Sequence, residues 1–89
     1  MFHAVICRDK PGHLQTRLDT RAVHLAYIEK TGIVAQAGPF IEDGQMVGSL
    51  VILDAGDLAA ARRWAEGDPY AAAGLFESVA VIEWKKVIG

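Results

Sequence analysis

The hydrophobic and polar positions of the chain follow two different periodicities. A long segment, 14–30, carries apolar residues at helical spacing, and a second helical pattern follows Asp57 as far as Glu66. Four apolar runs rich in β-branched residues are instead typical of strands: Phe2–Cys7, Ile33–Phe40, Gly48–Asp54 and Leu75–Val87. The order β-α-β-β-α-β, joined by right-handed crossovers, predicts a ferredoxin-like α+β fold, in which both helices cover one face of a four-stranded antiparallel sheet.

The first predicted helix has an apolar stripe with a polar edge. We expect the stripe to face the core; it consists of Leu14, Leu18, Ala22, Leu25 and Ile28. Arg17, Arg21 and His24 recur at i, i+4 and i+7 along one edge of it, and Gly32 is expected to end the helix. From that edge the three side chains can reach along the sheet. Solvated arginines and a core histidine are the plainer explanations.

The stretch from Gly67 to Gly74 carries stop and start signals for two helices. Gly67 is expected to end the second helix in the left-handed conformation. Asp68 and Pro69 are then typical of the N-cap and first residue of a short extra helix before the last strand. Asp68 is either a cap alone or a carboxylate held between two helix ends and directed at a partner. The partner that we favour is His24.

The strand patterns also bear on pairing and assembly. Segment 42–45 contains Asp-Gly and predicts a hairpin loop, and Pro39 is expected to end regular pairing of the second strand. His3 is expected to be a strand-edge histidine.

Segments 50–53 and 79–82 are apolar at consecutive positions, whereas a strand with one solvated face would alternate. Two helices cover only one sheet face, so we expect a second copy of the chain to cover the other face in a homodimer. A higher oligomer built from such dimers is the alternative.

Composition narrows the class of protein. With 89 residues, one domain spanning 1–89 is expected. A hydrophobic content of 52% and a net charge of -2 argue against a disordered tail and a nucleic-acid surface. No run reaches membrane-spanning length, and the single cysteine, Cys7, fits a soluble cytoplasmic protein. No phosphate loop, dinucleotide fingerprint or haem motif occurs, and the histidines lack metal-ligand spacing, so neither cofactor nor metal is predicted.

Five short patterns occur in a fixed order along the chain. They are Arg21-x-x-His24-Leu25, Ala37-Gly38-Pro39, Gly48-Ser49, Ala61-x-x-Trp64-Ala65 and Asp68-Pro69-Tyr70-x-x-Ala73-Gly74. Together they resemble the YCII-related (YciI-like) family from end to end. The resemblance implies a ferredoxin-like fold that dimerises like the dimeric α/β barrels. It also implies a cleft with a histidine and an aspartate, here His24 and Asp68. The short hairpin after Pro39 departs from longer members, which carry a larger loop there.

The resemblance implies a function class as well. Family relatives and fold-mates include isomerases, lactone-handling enzymes and dehydrochlorinases. A histidine paired with a carboxylate can act as a general acid or base near neutral pH. We therefore expect isomerisation, elimination or hydrolysis of a small ring or carbonyl compound, or alternatively a non-catalytic ligand-binding or regulatory module. The candidate substrate-binding residues are Arg17, Arg21, Gly38, Pro39, Ser49 and Tyr70, of which Ser49 and Gly38-Pro39 follow from the resemblance.

Overall fold

The computed structural model describes residues 1–89 and contains the predicted elements in the predicted order. The strands are β1 (Phe2–Asp9), β2 (Val34–Glu42), β3 (Gln45–Asp54) and β4 (Phe76–Trp84). The helices are α1 (Leu14–Thr31), α2 (Leu58–Gly67) and α3 (Pro69–Ala72). The sheet is antiparallel throughout, with the strand order β2-β3-β1-β4. The predicted ferredoxin-like fold class is confirmed.

The predicted helix caps and hairpin turn follow from local chemistry. The Asp57 side chain accepts a hydrogen bond from the backbone N–H of Ala60 at 2.8 Å and so begins α2. Gly32 ends α1 in the left-handed conformation, at φ 67°. Asp43 and Gly44 also have positive φ, 48° and 76°, which is the geometry of the two-residue turns that suit the twist of a hairpin. These three predictions agree with the structure.

The core lies between the sheet and α2. Val5, Cys7, Val51 and Leu53 project from the two central strands and pack against three residues of α2: Ala61, Trp64 and Ala65. Trp64 also joins α2 to α1, because its indole N–H donates to Thr31 Oγ1 at 2.9 Å and its carbonyl accepts from the Tyr27 hydroxyl at 2.8 Å. This packing holds the end of α2 against α1, where the candidate site lies.

The inward face of α1 differs from the prediction. Leu18 and Leu25, which belong to the predicted core stripe, remain 47% and 45% exposed. The buried residues of α1 are instead Arg17 and His24. Both polar side chains have a buried acidic hydrogen-bond partner, which removes most of the cost of taking them out of water. Ile28 of the stripe packs against the core as expected, whereas Leu18 and Leu25 were misassigned. Apolar spacing alone does not reveal which polar residues will find partners.

Gly67 does not adopt the left-handed conformation expected from the sequence. It is the last residue of α2, and its φ is not among the positive values of the chain. The chain leaves the helix through Asp68, whose backbone is extended at φ −62° and ψ 126°. Glycine is favoured here for another reason: a Cβ atom would lie 2.6 Å from the Tyr27 hydroxyl oxygen. The position requires a missing side chain rather than an unusual backbone.

Two further predictions in the strands are wrong. Pairing of β2 with β3 continues past Pro39 to Glu42 opposite Gln45, with one irregularity after Phe40. Proline is tolerated because β2 lies at the edge of the sheet, where one side of the strand needs no ladder hydrogen bonds. His3 is not at a strand edge: it is fully buried on β1, and neither ring nitrogen has a hydrogen-bond partner.

The sheet face opposite the helices is apolar and has no helix over it. Residues that pair across antiparallel strands lie on the same face, so the register defines this open face. Its large apolar side chains are Phe2, Ile6, Phe40, Leu50, Ile52, Ile82 and Trp84. Ile82 and Trp84 are 52% and 41% exposed. None of the helices combines the length and hydrophobicity that a bilayer-spanning segment needs.

Candidate active site

A cavity of about 190 Å³ lies where α1 and α3 meet β2 and β3. Asp68 lies behind its wall, in contact with His24. A larger cavity, about 460 Å³, occupies the open face over β2 and β3, but no titratable side chain lines it. Because titratable and polar groups converge in the smaller cavity, we assign the candidate site there. It brings together seven of the eight residues singled out from the sequence: Arg17, Arg21, His24, Gly38, Pro39, Ser49 and Tyr70.

His24 and Asp68 form a buried pair. Nδ1 of His24 lies 2.7 Å from Oδ1 of Asp68, and the side chains are only 8% and 3% exposed. Asp68 is held by its place between α2 and α3, where the same oxygen accepts the backbone N–H of Tyr70 at 3.0 Å. An ionised carboxylate only accepts hydrogen bonds, so Nδ1 is the donor. In the neutral ring Nε2 is then the unprotonated nitrogen, and His24 is one of the residues that line the cavity.

Tyr70 links the histidine to Arg17. Its ring stacks on the His24 ring with centroids 3.9 Å apart and planes 17° from parallel. The Arg17 guanidinium carbon lies 4.8 Å from the centroid of the same ring. Since Arg17 and His24 are two helical turns apart, about 10 Å, the Tyr70 ring fits between them. Burial and then the Asp68 charge raise the pKa of Tyr70, although Arg17 opposes this, and the hydroxyl stays protonated at neutral pH.

Arg17 belongs to a buried polar network. Its Nε and Nη2 donate to the two oxygens of Asp9 at 2.7 and 2.8 Å, and Nη2 also donates to Ser49 Oγ at 2.9 Å. Burial alone would lower the pKa of Arg17, but the hydrogen bonds and charge of Asp9 outweigh it, and the pKa is raised. The site therefore contains a permanent cation whose charge is already balanced.

The other candidate residues differ from Arg17 in their surroundings. Arg21 is exposed at the cavity and makes neither an ion pair nor a hydrogen bond with another side chain, so its charge is available to a ligand. Ser49 is buried, 5% exposed, and the Gly38–Pro39 segment forms the β2 side of the wall. Cys7 lies in the core below; burial and then the Asp68 charge raise its pKa to about 12. No three His, Cys, Asp or Glu side chains cluster as a metal site would require.

Asp9 is the site residue that sequence reasoning missed. The predicted first strand ends at Cys7, whereas β1 continues to Asp9. Its side chain is 6% exposed and accepts two hydrogen bonds from Arg17. Asp9 lies two residues beyond Cys7 and so on the same face of β1, toward the helices; the extra residue at the irregularity between Arg8 and Asp9 is on β4. Alternation would have indicated its burial only if the strand had been extended beyond Cys7, and a carboxylate after an apolar run is a weak signal for such an extension.

The family is decided by comparison with known proteins. The model of the YCII-related domain matches residues 1–85. The chain belongs to the YCII-related family. It is 36% identical to the protein YciI of Escherichia coli O6:H1 over 97 aligned positions, which cover 98% of this chain and 99% of that protein. An uncharacterized protein of Haemophilus influenzae is 35% identical with the same coverage. The family resemblance inferred from the sequence is confirmed.

Solved structures similar to this YCII-related protein extend the comparison. TftG of Burkholderia phenoliruptrix AC1100 is a 5-chloro-2-hydroxyhydroquinone dehydrochlorinase, solved in complex with 2,5-dihydroxybenzoquinone. The two chains are 35% identical with a TM-score of 0.86, over 96% of this chain and 94% of TftG. A crystal structure of an antibiotic biosynthesis monooxygenase has a TM-score of 0.57 at 14% identity, over 99% of this chain and 100% of that one. The second likeness concerns the fold alone.

Proposed function

We propose that this YCII-related protein is a small enzyme that moves protons on a monocyclic or carbonyl compound, with His24 as the proton carrier and Asp68 as its orienting partner. The observation that carries the proposal is the buried 2.7 Å contact between these residues, with His24 lining the cavity. Asp68 would keep the ring in one tautomer and stabilise the imidazolium that forms on proton uptake. General acid–base catalysis of this kind contributes about 10²- to 10⁴-fold to a rate.

The substrate class is inferred from the cavity and from TftG. A volume of about 190 Å³ is below the range of roughly 300–1,000 Å³ typical of sites for drug-sized ligands, which favours a single small ring. TftG carries the name of a dehydrochlorinase and was solved with a six-membered oxygenated ring. Its overall similarity supports an oxygenated ring compound here as well. The exposed guanidinium of Arg21 suits an anionic oxygen on that ring.

The proposed step is proton abstraction next to a carbonyl group. His24 Nε2 takes the proton, so a C–H bond breaks and an N–H bond forms. The electron pair of the C–H bond forms a C=C bond, and the carbonyl π pair moves to its oxygen, which becomes an enolate. In an elimination, the electron pair of the C–H bond instead forms the new double bond while chloride leaves the adjacent carbon. In either case His24 returns its proton to product or water.

The test is turnover of a panel of small rings, including 5-chloro-2-hydroxyhydroquinone and simple lactones, by the purified protein. Chloride release, ring opening and solvent deuterium incorporation would be measured for the wild type and for His24→Ala. We expect the variant to lose about 10²- to 10⁴-fold in rate. His13→Ala, which changes a histidine outside the cavity, should retain full activity. Equal rates for wild type and His24→Ala would reject the proposal. Ligand binding by a wild type that turns over no panel member would indicate a binding or regulatory module.

We also propose that two copies pack open face to open face as a homodimer. The support is an apolar sheet face with no helix over it, on which Ile82 and Trp84 are half exposed. Stable interfaces bury more than about 1,000 Å² in total. Ile82→Asp should dissociate the dimer, whereas Val23→Asp, on an exposed position of α1, should not. Sedimentation of the wild type as a monomer alone at micromolar concentration would contradict the dimer.

We propose a cytoplasmic location because Cys7 is a free thiol. This single cysteine is buried and unpaired, which fits a reducing compartment. With a net charge of -2, the chain also lacks the basic character of a protein that binds nucleic acid. The proposed partners are thus a small-molecule ligand and a second copy of the chain. Fractionation of cells that express a tagged chain would test the location, and recovery outside the cytoplasm would refute it.

A further inference from the structure

The hydrogen bond between Arg17 and Ser49 determines in which direction the serine hydroxyl donates and in which it accepts. A guanidinium has donors only, whereas a hydroxyl has one donor and two acceptor lone pairs. At 2.9 Å from Nη2 of Arg17, Ser49 Oγ is therefore the acceptor. Its own hydrogen must point elsewhere, and Ser49 donates to no other group of the chain. Because Ser49 lines the cavity, that hydrogen is available to a ligand.

Asp9 keeps Arg17 in the position from which it donates to Ser49. Two parallel hydrogen bonds, from Nε and from Nη2, hold the plane of the guanidinium. The ion pair is nearly closed to solvent, with side chains 4% and 6% exposed, so water does not compete for the donors. On its other side the guanidinium contacts the Tyr70 ring. These contacts hold Arg17 in the orientation that directs Nη2 at Ser49.

We propose that Asp9 and Arg17 are a positioning pair that keeps the Ser49 hydroxyl as a hydrogen-bond donor to an acceptor oxygen of the ligand. The cavity is then lined by a base, His24, by a fixed neutral donor, Ser49, and by the exposed Arg21 cation. The ligand that matches is a small ring with a carbonyl or anionic oxygen on one side and an acidic proton on the other. A donor oriented in advance stabilises an oxygen that gains charge without reorganising during the reaction.

The inference rests on the proposed function for the site, but it concerns ligand binding and can fail or hold independently of turnover. The probe is 2,5-dihydroxybenzoquinone, titrated calorimetrically at concentrations up to millimolar. The shift of its carbonyl stretching band in the bound state reports the donated hydrogen bond directly. The variants are Ser49→Ala, Arg17→Lys and their double mutant. Matched controls are Ser78→Ala and Arg63→Lys, both at exposed positions outside this cavity.

We expect Ser49→Ala to weaken binding by about 10- to 100-fold, the effect of losing a hydrogen bond to a charged group, and to abolish part of the carbonyl shift. Arg17→Lys should weaken binding through the same serine, so the double mutant should bind about as weakly as Ser49→Ala alone. If Arg17→Lys does not fold, Asp9→Asn, which has nearly the same shape as the native residue, replaces it in the cycle. The two controls should behave as the wild type.

Several results would overturn the inference. One is unchanged affinity and carbonyl shift in Ser49→Ala. Another is additive losses in the double mutant, which would mean that Arg17 contacts the ligand itself. A third is a wild type that does not bind the probe at millimolar concentration. Binding that depends on Ser49 and Arg17 without any turnover would instead reject the proposed enzyme and support the positioning pair. Turnover of a panel compound, combined with a probe affinity that does not depend on Ser49, would support the proposed enzyme and reject the positioning pair.

Discussion

His24 and Asp68 are separated by 44 positions in the sequence and by 2.7 Å in the fold, from Nδ1 to Oδ1. The contact depends on two adjoining helix ends. Asp68 is at once the residue after α2 and the N-cap of α3, and its carboxylate accepts hydrogen bonds from both the ring of His24 and the backbone of Tyr70. The same oxygen therefore links the position of the histidine to the start of the short helix.

The two residues should behave as one unit when they are replaced. His24→Ala and the double mutant with Asp68→Asn should lose similar activity, since residues that act together are strongly non-additive. Asp68→Asn alone should lose as much activity or less. Rates would be measured on a panel compound that turns over. Additive losses would show that Asp68 serves only as a helix cap.

Charge reversal at Arg21 should weaken ligand binding without affecting folding. Arg21 is exposed and has no acidic partner whose loss would destabilise the chain. Arg21→Glu should therefore reduce the affinity for 2,5-dihydroxybenzoquinone by about tenfold or more, in line with a lost charged hydrogen bond, and leave the melting curve nearly unchanged. Arg63→Glu, at an exposed position outside the cavity, is the control. Equal affinity of the wild type and Arg21→Glu would contradict the role of Arg21.

Alkaline pH should destabilise the protein through Cys7. The unfolded thiol ionises near its ordinary pKa of 9.0, whereas the pKa of the folded thiol is raised to about 12. Between these values the unfolded state binds fewer protons, so the free energy of unfolding falls as pH rises, by up to about 1.4 kcal/mol per pH unit. Cys7→Ala should flatten this decline. Urea unfolding from pH 8 to 11 measures it, and parallel curves for the two proteins would refute the prediction.

Replacing His3 by leucine should stabilise the chain. The imidazole is fully buried with both nitrogens unpartnered, and a buried polar group without a hydrogen bond costs about 1–3 kcal/mol. His3→Leu should therefore raise the melting temperature by several degrees, since about 1 kcal/mol corresponds to roughly 4–8 °C in a domain of this size. His13→Leu, whose ring has a backbone partner at 2.9 Å, should not stabilise. A lower melting temperature for His3→Leu would show that the histidine has an unrecognised partner.

Gly48 should tolerate no side chain. A Cβ atom there would overlap the backbone carbonyl oxygen of Cys7 on the neighbouring strand and press on the Phe40 ring. Gly48→Ala should cost about 2 kcal/mol or more in the free energy of unfolding, because backbone cannot rotate away as a side chain can. Gly56→Ala, where no atom lies within 4 Å of the new Cβ, is the control. Equal stability of the two variants, measured by urea denaturation, would contradict the expected clash.

The fold was predictable because its signals are local. Strand runs, the Asp57 cap and the Asp43–Gly44 turn each follow from a few neighbouring residues. The buried face of α1 was not predictable, because the burial of Arg17 and His24 depends on carboxylates that lie 8 and 44 positions away. A helical stripe shows which residues are apolar and contains no information about distant partners. For the same reason Asp9 was missed, while Asp68 was singled out by its place between two helix signals, and the family resemblance then supported His24 as its partner.

The alternation of β3 from Ser49 to Ile52 has a consequence for how the chain can vary in length. Ser49 and Val51 face the helices, whereas Leu50 and Ile52 lie on the open face. One residue inserted or deleted within β3 would exchange these two surfaces, placing a leucine among the buried polar groups and a serine on the apolar side. Such changes should be lost from natural populations. A change of length is thus disfavoured in this stretch of β3, whereas residues gained at the turn of Asp43–Gly44 would leave its two faces unchanged.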